Sequence, residues 1–312
     1  MNASSLQALI DDIVAATRSR CDEGAVADYI PALAKVPPDR LGMAIATLDG
    51  TVLRAGDATE PFSIQSISKL FALTLALRRE GESLWRRVGR EPSGTPFNSL
   101  VLLEREQGIP RNPFVNAGAL VITDVLCQRF LQPERAVLEF IHGLLGRTDV
   151  AIDAGVARSE RQHSDRNAAI AHFMRSFGKL GSQPATVLDA YCAQCAIAMS
   201  CADLARASLF LAADGRDPLG GSPVVDALAA RRINALMLTC GAYDAAGDFA
   251  CRIGLPTKTG VGGGILAVVP GRMSLCAWSP RLDANGNSIA AAAAIERFAA
   301  ETGLSIFGAS VA

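Results

Sequence analysis

The opening run, "MNASSLQALIDDIVAATRSR", spaces its apolar residues about a turn apart and sets two aspartates among them, the pattern of an amphipathic helix. Further on, "LGMAIATL", Asp49-Gly50 and "TVLRAG" read as two strands joined by a tight turn. "SISKLFALTLALRREGE" is too long an apolar run for a strand and predicts a buried helix from near Ser66, ending at Gly81. From about 82 to 221 the pattern is loop and helix. Its helices are "NAGALVITDVLCQRFL", "PERAVLEFIHGLLGR", "DRNAAIAHFMRSFG" and one long helical stretch, "VLDAYCAQCAIAMSCADLARASLFLA". Past Pro223, "VVDALAARRINALMLTC" is another helix, and "GGGILAVVPGRMSLCAWSP" gives two strands around Pro270-Gly271. "IAAAAAIERFAAETG", capped by Asn287 or Ser288 and stopped at Gly303, closes the chain as a helix. Strands near both ends and helices between them predict an α+β architecture. An antiparallel sheet is assembled from the two termini, flanked by terminal helices, with a helical subdomain inserted. We expect one domain over 1–312, its α/β part about 1–65 plus 222–312 and its helical part about 66–221.

Composition narrows the function classes. Half of the 312 residues are apolar and 20% charged, enough for a sizeable core. A net charge of -1 offers no basic field to nucleic acid or an anionic membrane. The N-terminal helix lacks the basic start of an export signal, and no apolar run reaches the roughly 18 residues of a spanning helix. A cytoplasmic protein is expected. Among eight cysteines, Cys192 and Cys195 have C-x-x-C spacing, but no second pair follows and His142, His163 and His172 show no ligand spacing. The pair reads as small buried helix residues. Neither metal nor organic cofactor is expected.

The lysines bring in chemistry. Of 30 basic residues only four are lysine, at 35, 69, 179 and 258. One of them, Lys69, follows Ser66 at three residues. That spacing at a helix start puts amine and hydroxyl on one face. Serine is a weak nucleophile without an adjacent base, and arginine does not deprotonate in proteins. Lysine serves if burial lowers its pKa from about 10.4 toward 7. The competing reading is a cap followed by a surface lysine. Lys258-Thr259-Gly260, running into a strand, supplies the second element of the S-x-x-K and K-T-G pair found in penicillin-recognising enzymes. Gly260 and Gly262 to Gly264 serve either close backbone packing or substrate approach to an exposed N–H. The third element of that pair's superfamily, Ser-Asp-Asn, is not matched by Ser164-Asp165-Arg166-Asn167.

Taken with "DYIPALAKVPPD", "FSIQSISKLF", "GREPSGTPFNS", "RNPFVNAGAL", "SERQHSDRNAAIA", "LDAYCAQCAI", "LTCGAYDAAGDFA" and "GLPTKTGVGGGILAVVPGRMSLCAWSPRLDANGNS", these motifs make the chain resemble the serine-dependent, β-lactamase-like glutaminases. The likeness is to their short bacterial form and runs from about residue 25 to 290. It implies hydrolysis of L-glutamine to L-glutamate and ammonia. Ser66 would be the nucleophile, Lys69 its base and Tyr243 a proton relay, with Tyr29 bordering the same centre. The backbone N–H groups of Ser66 and Val261 would form the oxyanion hole. Asn116, Glu160, Asn167 and Tyr191 would hold the substrate. The chemistry suits them: an amino acid's ammonium wants a carboxylate, and its carboxylate wants amides and hydroxyls. The chain has three tyrosines, 29, 191 and 243, and all three fall at such positions. The resemblance also implies a homodimer or homotetramer. Two other readings are a penicillin-recognising hydrolase and a silent glutamine sensor on the same fold.

Overall fold

The computed structural model describes residues 1–94 and 100–308. The chain enters through α1 (Ala3–Thr17), where Asn2 caps the first turn by accepting from the Ser5 N–H at 2.9 Å. After β1 (Ala25–Val26) comes the expected hairpin, β2 (Gly42–Thr47) and β3 (Val52–Gly56), in register from Ala46–Val52 to Gly42–Gly56. The Asp49 carboxylate holds its turn, accepting from the Thr51 N–H at 3.0 Å and the Thr47 hydroxyl at 2.6 Å. The middle of the chain then opens with β4 (Phe62–Ser63) and α2 (Ser68–Glu80). It continues through α3 (Val101–Arg105), α4 (Asn116–Cys127), α5 (Pro133–Leu145), β5 (Ala151–Ile152) and α6 (Ala154–Gln162). Next come α7 (Asp165–Ser176), α8 (Pro184–Cys195), β6 (Ile197–Met199), α9 (Cys201–Ala207), α10 (Ala227–Cys240) and α11 (Ala246–Arg252). The C-terminal run is β7 (Thr257–Thr259), β8 (Gly264–Val269), β9 (Met273–Trp278), β10 (Arg281–Leu282) and α12 (Ile289–Thr302). Ser288 caps α12 and Gly303 ends it.

Strands from the two ends form one antiparallel sheet in the order β3-β2-β9-β8-β7, as the pattern predicts. Period-two alternation sorts its side chains into two cores. Met43, Ile45, Ile265, Ala267, Leu275 and Ala277 face Ile10, Ile13, Ile295 and Phe298 of α1 and α12. Ala44, Ala46, Leu266, Val268, Cys276 and Trp278 face the other way, into the core shared with the helices. Both faces of the three inner strands β2, β9 and β8 are covered, so these read as almost unbroken apolar runs.

The long helical pattern from 187 to 212 is where the structure departs from expectation. It is α8, β6, α9 and a 3₁₀ turn, Leu209–Leu211. The break is chemical: Ser200 and Asp203 form a capping box, the Ser200 Oγ accepting from the Asp203 N–H and the Asp203 carboxylate from the Ser200 N–H. Between the two helices Ile197 and Met199 pair with Ile152 and Phe62. The "loop and helix" middle therefore contains a small sheet, β4-β6-β5. Phe62 stacks on Trp278 at 4.8 Å and 3°, which ties this small sheet to the large one. Among the described residues no helix is long and apolar enough to cross a membrane.

One buried charge anchors the helices. Asp124 of α4 is fully buried. It accepts from Arg87 at 2.5 Å, Gln128 at 2.9 Å and the N–H groups of Gly181 and Ser182 at 3.1 and 2.7 Å. Burial pushes its pKa up, but Arg87 and the two backbone donors outweigh burial and hold it below the ordinary carboxylate value. Asp124→Ala should cost about 3 kcal/mol or more in denaturant unfolding at pH 7. The sign of the pH dependence follows from the lowered pKa. The contribution is full above the unfolded value of about 3.9 and is lost as pH falls through the folded one, so parent and variant should converge in acid.

Candidate active site

Ser66 lies on a one-turn 3₁₀ helix, Gln65–Ile67, that leads from β4 into α2. Ile64, Ile67 and Leu70 are fully buried and fix this turn to the core. Gln65, just before the serine, has φ +49°, a conformation that costs a residue with a Cβ and is over-represented at functional sites. The loop after Lys258 presses on the same turn. A Cβ on Gly260 would stand 2.5 Å from the Ile64 carbonyl oxygen, and one on Gly262 would stand 2.1 Å from that of Ser63. Close backbone packing thus explains both glycines. The Trp278 indole N–H supports that loop, donating to the Gly262 carbonyl at 2.9 Å.

Lys69, in the first turn of α2, is 2% exposed. Its Nζ donates to Asn116 Oδ1 at 2.7 Å and to the Phe114 carbonyl at 3.0 Å. Burial pulls its pKa down to about 8, while Cys195 and Glu160 act the other way. Asn116, the first residue of α4, also donates from Nδ2 to Asn167 Oδ1 of α7 at 2.9 Å and lies 3.5 Å from the Tyr191 hydroxyl of α8. So the amide that touches the lysine is Asn116, not one from the 164–167 stretch searched for a Ser-Asp-Asn element.

Glu160, near the end of α6, is buried and accepts from the Gln65 side-chain N–H at 3.1 Å. Burial pushes its carboxyl up to about 7, against Gln65, Cys195 and Lys69, which pull it down. Tyr243 stands on a 3₁₀ turn with φ +53°. Burial raises its phenol to about 12, while the Ser66 and Thr259 side chains and the Val261 backbone lower it. Lys258, fully buried on β7, donates to the carbonyls of Thr259 and Gly241 at 2.6 and 3.2 Å. Its ammonium lies 5.2 Å from the Tyr243 ring centre and 5.5 Å from that of Phe114. Burial and then Lys69 hold its pKa well below the ordinary lysine value.

A cavity of about 300 Å³ collects these groups. Ser66, Asn116, Glu160, Asn167, Tyr191, Tyr243 and Val261 line it, with Tyr29, 55% exposed, at its side. Lys69 lies behind Asn116 instead of on the wall. All nine residues singled out from the sequence thus converge on one place. Sequence reasoning missed Gln65, Ile30, His163, Ser164 and Arg166, which share the lining. Gln65 was within sight, inside "QSISK", but nothing in the string reveals a contact 95 residues away. Three other cavities are larger, two of about 530 Å³ and one of about 710 Å³; one of them shares Tyr243, but none contains the serine. Cys192 and Cys195 are buried on α8, and among the described residues no group of three or more His, Cys, Asp or Glu could hold a metal ion. Part of the "GREPSGTPFNS" stretch, residues 95–99, lies outside the described residues.

The family model described as Glutaminase matches residues 24–307. A glutaminase of Paraburkholderia phytofirmans is 60% identical over 284 residues, covering 91% of this chain and 93% of that one. One of Ralstonia nicotianae is 58% identical over 301 residues, 96% and 99% of the two chains. Solved structures agree in shape. The probable glutaminase ybaS has TM-score 0.93 at 38% identity, over 98% of this chain and 99% of its own. A probable glutaminase of Bacillus subtilis has TM-score 0.90 at 32% identity, over 97% and 98%. With the Ser66-x-x-Lys69 motif, the sheet built from both termini and this degree of likeness together, the chain belongs to the glutaminase family and has its β-lactamase-like fold.

Proposed function

We propose that the chain hydrolyses L-glutamine to L-glutamate and ammonia through an acyl-enzyme on Ser66. The observation that carries this reading is a serine nucleophile candidate, a fully buried lysine and a buried carboxylate around one small cavity. Lys69 takes the Ser66 hydroxyl proton as the Oγ attacks the side-chain amide carbon. A neutral amine has two N–H bonds, and Asn116 and the Phe114 carbonyl accept both. Its lone pair is then what remains for the serine's proton. Negative charge on the carbonyl oxygen is met by the N–H groups of Ser66 and Val261. Tyr243, whose hydroxyl interacts with Ser66, passes the proton to the leaving nitrogen. The C–N bond breaks and ammonia departs. Water then adds to the ester carbon, the C–O bond breaks, and glutamate and Ser66 are restored.

Glu160 pairs with the substrate's α-ammonium group, while Asn167, Tyr191 and Asn116 bind its carboxylate end. Tyr29 covers the bound amino acid from its exposed side. No metal or organic cofactor enters this scheme. From the charge and hydropathy patterning we take the enzyme to be cytoplasmic, and on the strength of the family resemblance a homodimer or homotetramer. Light scattering at micromolar concentration reads the assembly directly, and a monomer there would refute it.

Ammonia release from L-glutamine, with L-asparagine and buffer as controls, tests the reaction. We expect release from glutamine that is absent from Ser66→Ala of equal thermal midpoint. Undiminished release by that variant would remove Ser66 from the chemistry.

A further inference from the structure

Gln65 joins two parts of the site that are 95 residues apart in the chain. Its carboxamide nitrogen has two N–H bonds. One goes to Ser63 Oγ at 2.9 Å and the other to Glu160 Oε2 at 3.1 Å. Ser63 Oγ gives its own proton to the Cys195 carbonyl at 2.9 Å, so it can only accept from Gln65. A carboxylate and a committed hydroxyl on the same side fix that end of Gln65 as the nitrogen. The residue is 2% exposed, and its backbone is held at φ +49° directly before Ser66.

We propose that Gln65 is a positioning residue that couples recognition of the substrate's α-ammonium group at Glu160 to the orientation of the Ser66 turn. The inference rests on the glutamine-hydrolase reading and deepens it. In the free site Glu160 leans on a neutral donor, Gln65. A bound ammonium is the stronger partner, and the carboxylate adjusts toward it. The φ of a residue with a Cβ occupies only a small left-handed well, so a pull on this side chain is felt by the backbone that carries the nucleophile. Binding energy gained at the amino end of the substrate is thereby spent on alignment at the amide end. An amide that lacks the α-amino group forgoes both.

The test compares L-glutamine with its deamino analogue, 4-carbamoylbutanoate, in the full-length protein and in two variants. Gln65→Gly keeps the left-handed backbone without strain and removes the side chain. Gln65→Met keeps the length and removes the donor. In both, the ratio of kcat for glutamine to kcat for the analogue should fall about tenfold or more, whatever loss the two amides share. A merely structural role lowers both rates alike and leaves the ratio where it was, and that result overturns the proposal. Each ratio is read within one preparation, so partial unfolding of a variant cancels. If the parent releases no ammonia from glutamine, the hydrolase reading itself has failed; if it does and the ratio is unmoved, only the role of Gln65 has.

Discussion

Lys69→Met should lose about four orders of magnitude in kcat for ammonia release from glutamine. It removes the buried amine, three residues from Ser66 in the chain, whose pKa of about 8 lets it take a proton near neutrality. Lys69→Arg should do no better, since a guanidinium keeps the charge and cannot give up its proton. If Lys69→Arg turned over glutamine at the parent's rate, the base would have to be another group. Loss of activity alone is a weak test, because a fully buried side chain can fail by upsetting its neighbours.

Stability supplies the second readout. The folded pKa of Lys69 lies below the unfolded value of about 10.4, so the unfolded chain binds more protons between the two. Stability of the parent therefore rises with pH across that window, and the charged lysine is a burden that is fully present below about 8. Lys69→Met has no such group. Its stability relative to the parent should be greatest near pH 7 and fall by on the order of 3 kcal/mol by about pH 10.5. The acceptors it leaves unpaired, Asn116 Oδ1 and the Phe114 carbonyl, shift both ends of that curve equally. A flat difference across the window would mean that Lys69 titrates as an ordinary lysine, and it would then be protonated when it is needed.

The parts of the molecule that were legible in the sequence are those set by local chemistry. Asp49-Gly50 turned the first hairpin, Ser288 and Gly303 bounded the last helix, and Ser66-x-x-Lys69 marked the site. The rest depended on partners distant in the chain. Ile197 and Met199 look helical among their neighbours and become a strand because Phe62 and Ile152 pair with them. Asn116 looked like a helix start; its contact with Lys69 appears only when α2 and α4 are brought together. Gly260 and Gly262 left two readings open until the backbone of Ser63 and Ile64 was seen against them. The other site residues were found through resemblance to a family, since their spacing in the chain carries no geometry.

Glu160→Gln should lower kcat/KM for glutamine about a hundredfold or more, through kcat as well as KM. The amide keeps the volume and can still accept from Gln65, so the turn before Ser66 stays supported. What is lost is the charge that meets the substrate's ammonium. The pH profile separates this from general damage. Glu160 must be ionised, with a pKa pushed up to about 7, and Lys69 must be neutral, with one pulled down to about 8. Both requirements fail as pH falls, so log kcat/KM of the parent should drop with a slope near two below the lower value and near one between them. The two groups feel each other, so the breaks belong to the pair. In Glu160→Gln the steeper limb should vanish and a slope near one remain. A variant that retained the slope of two would show that the second proton is lost elsewhere.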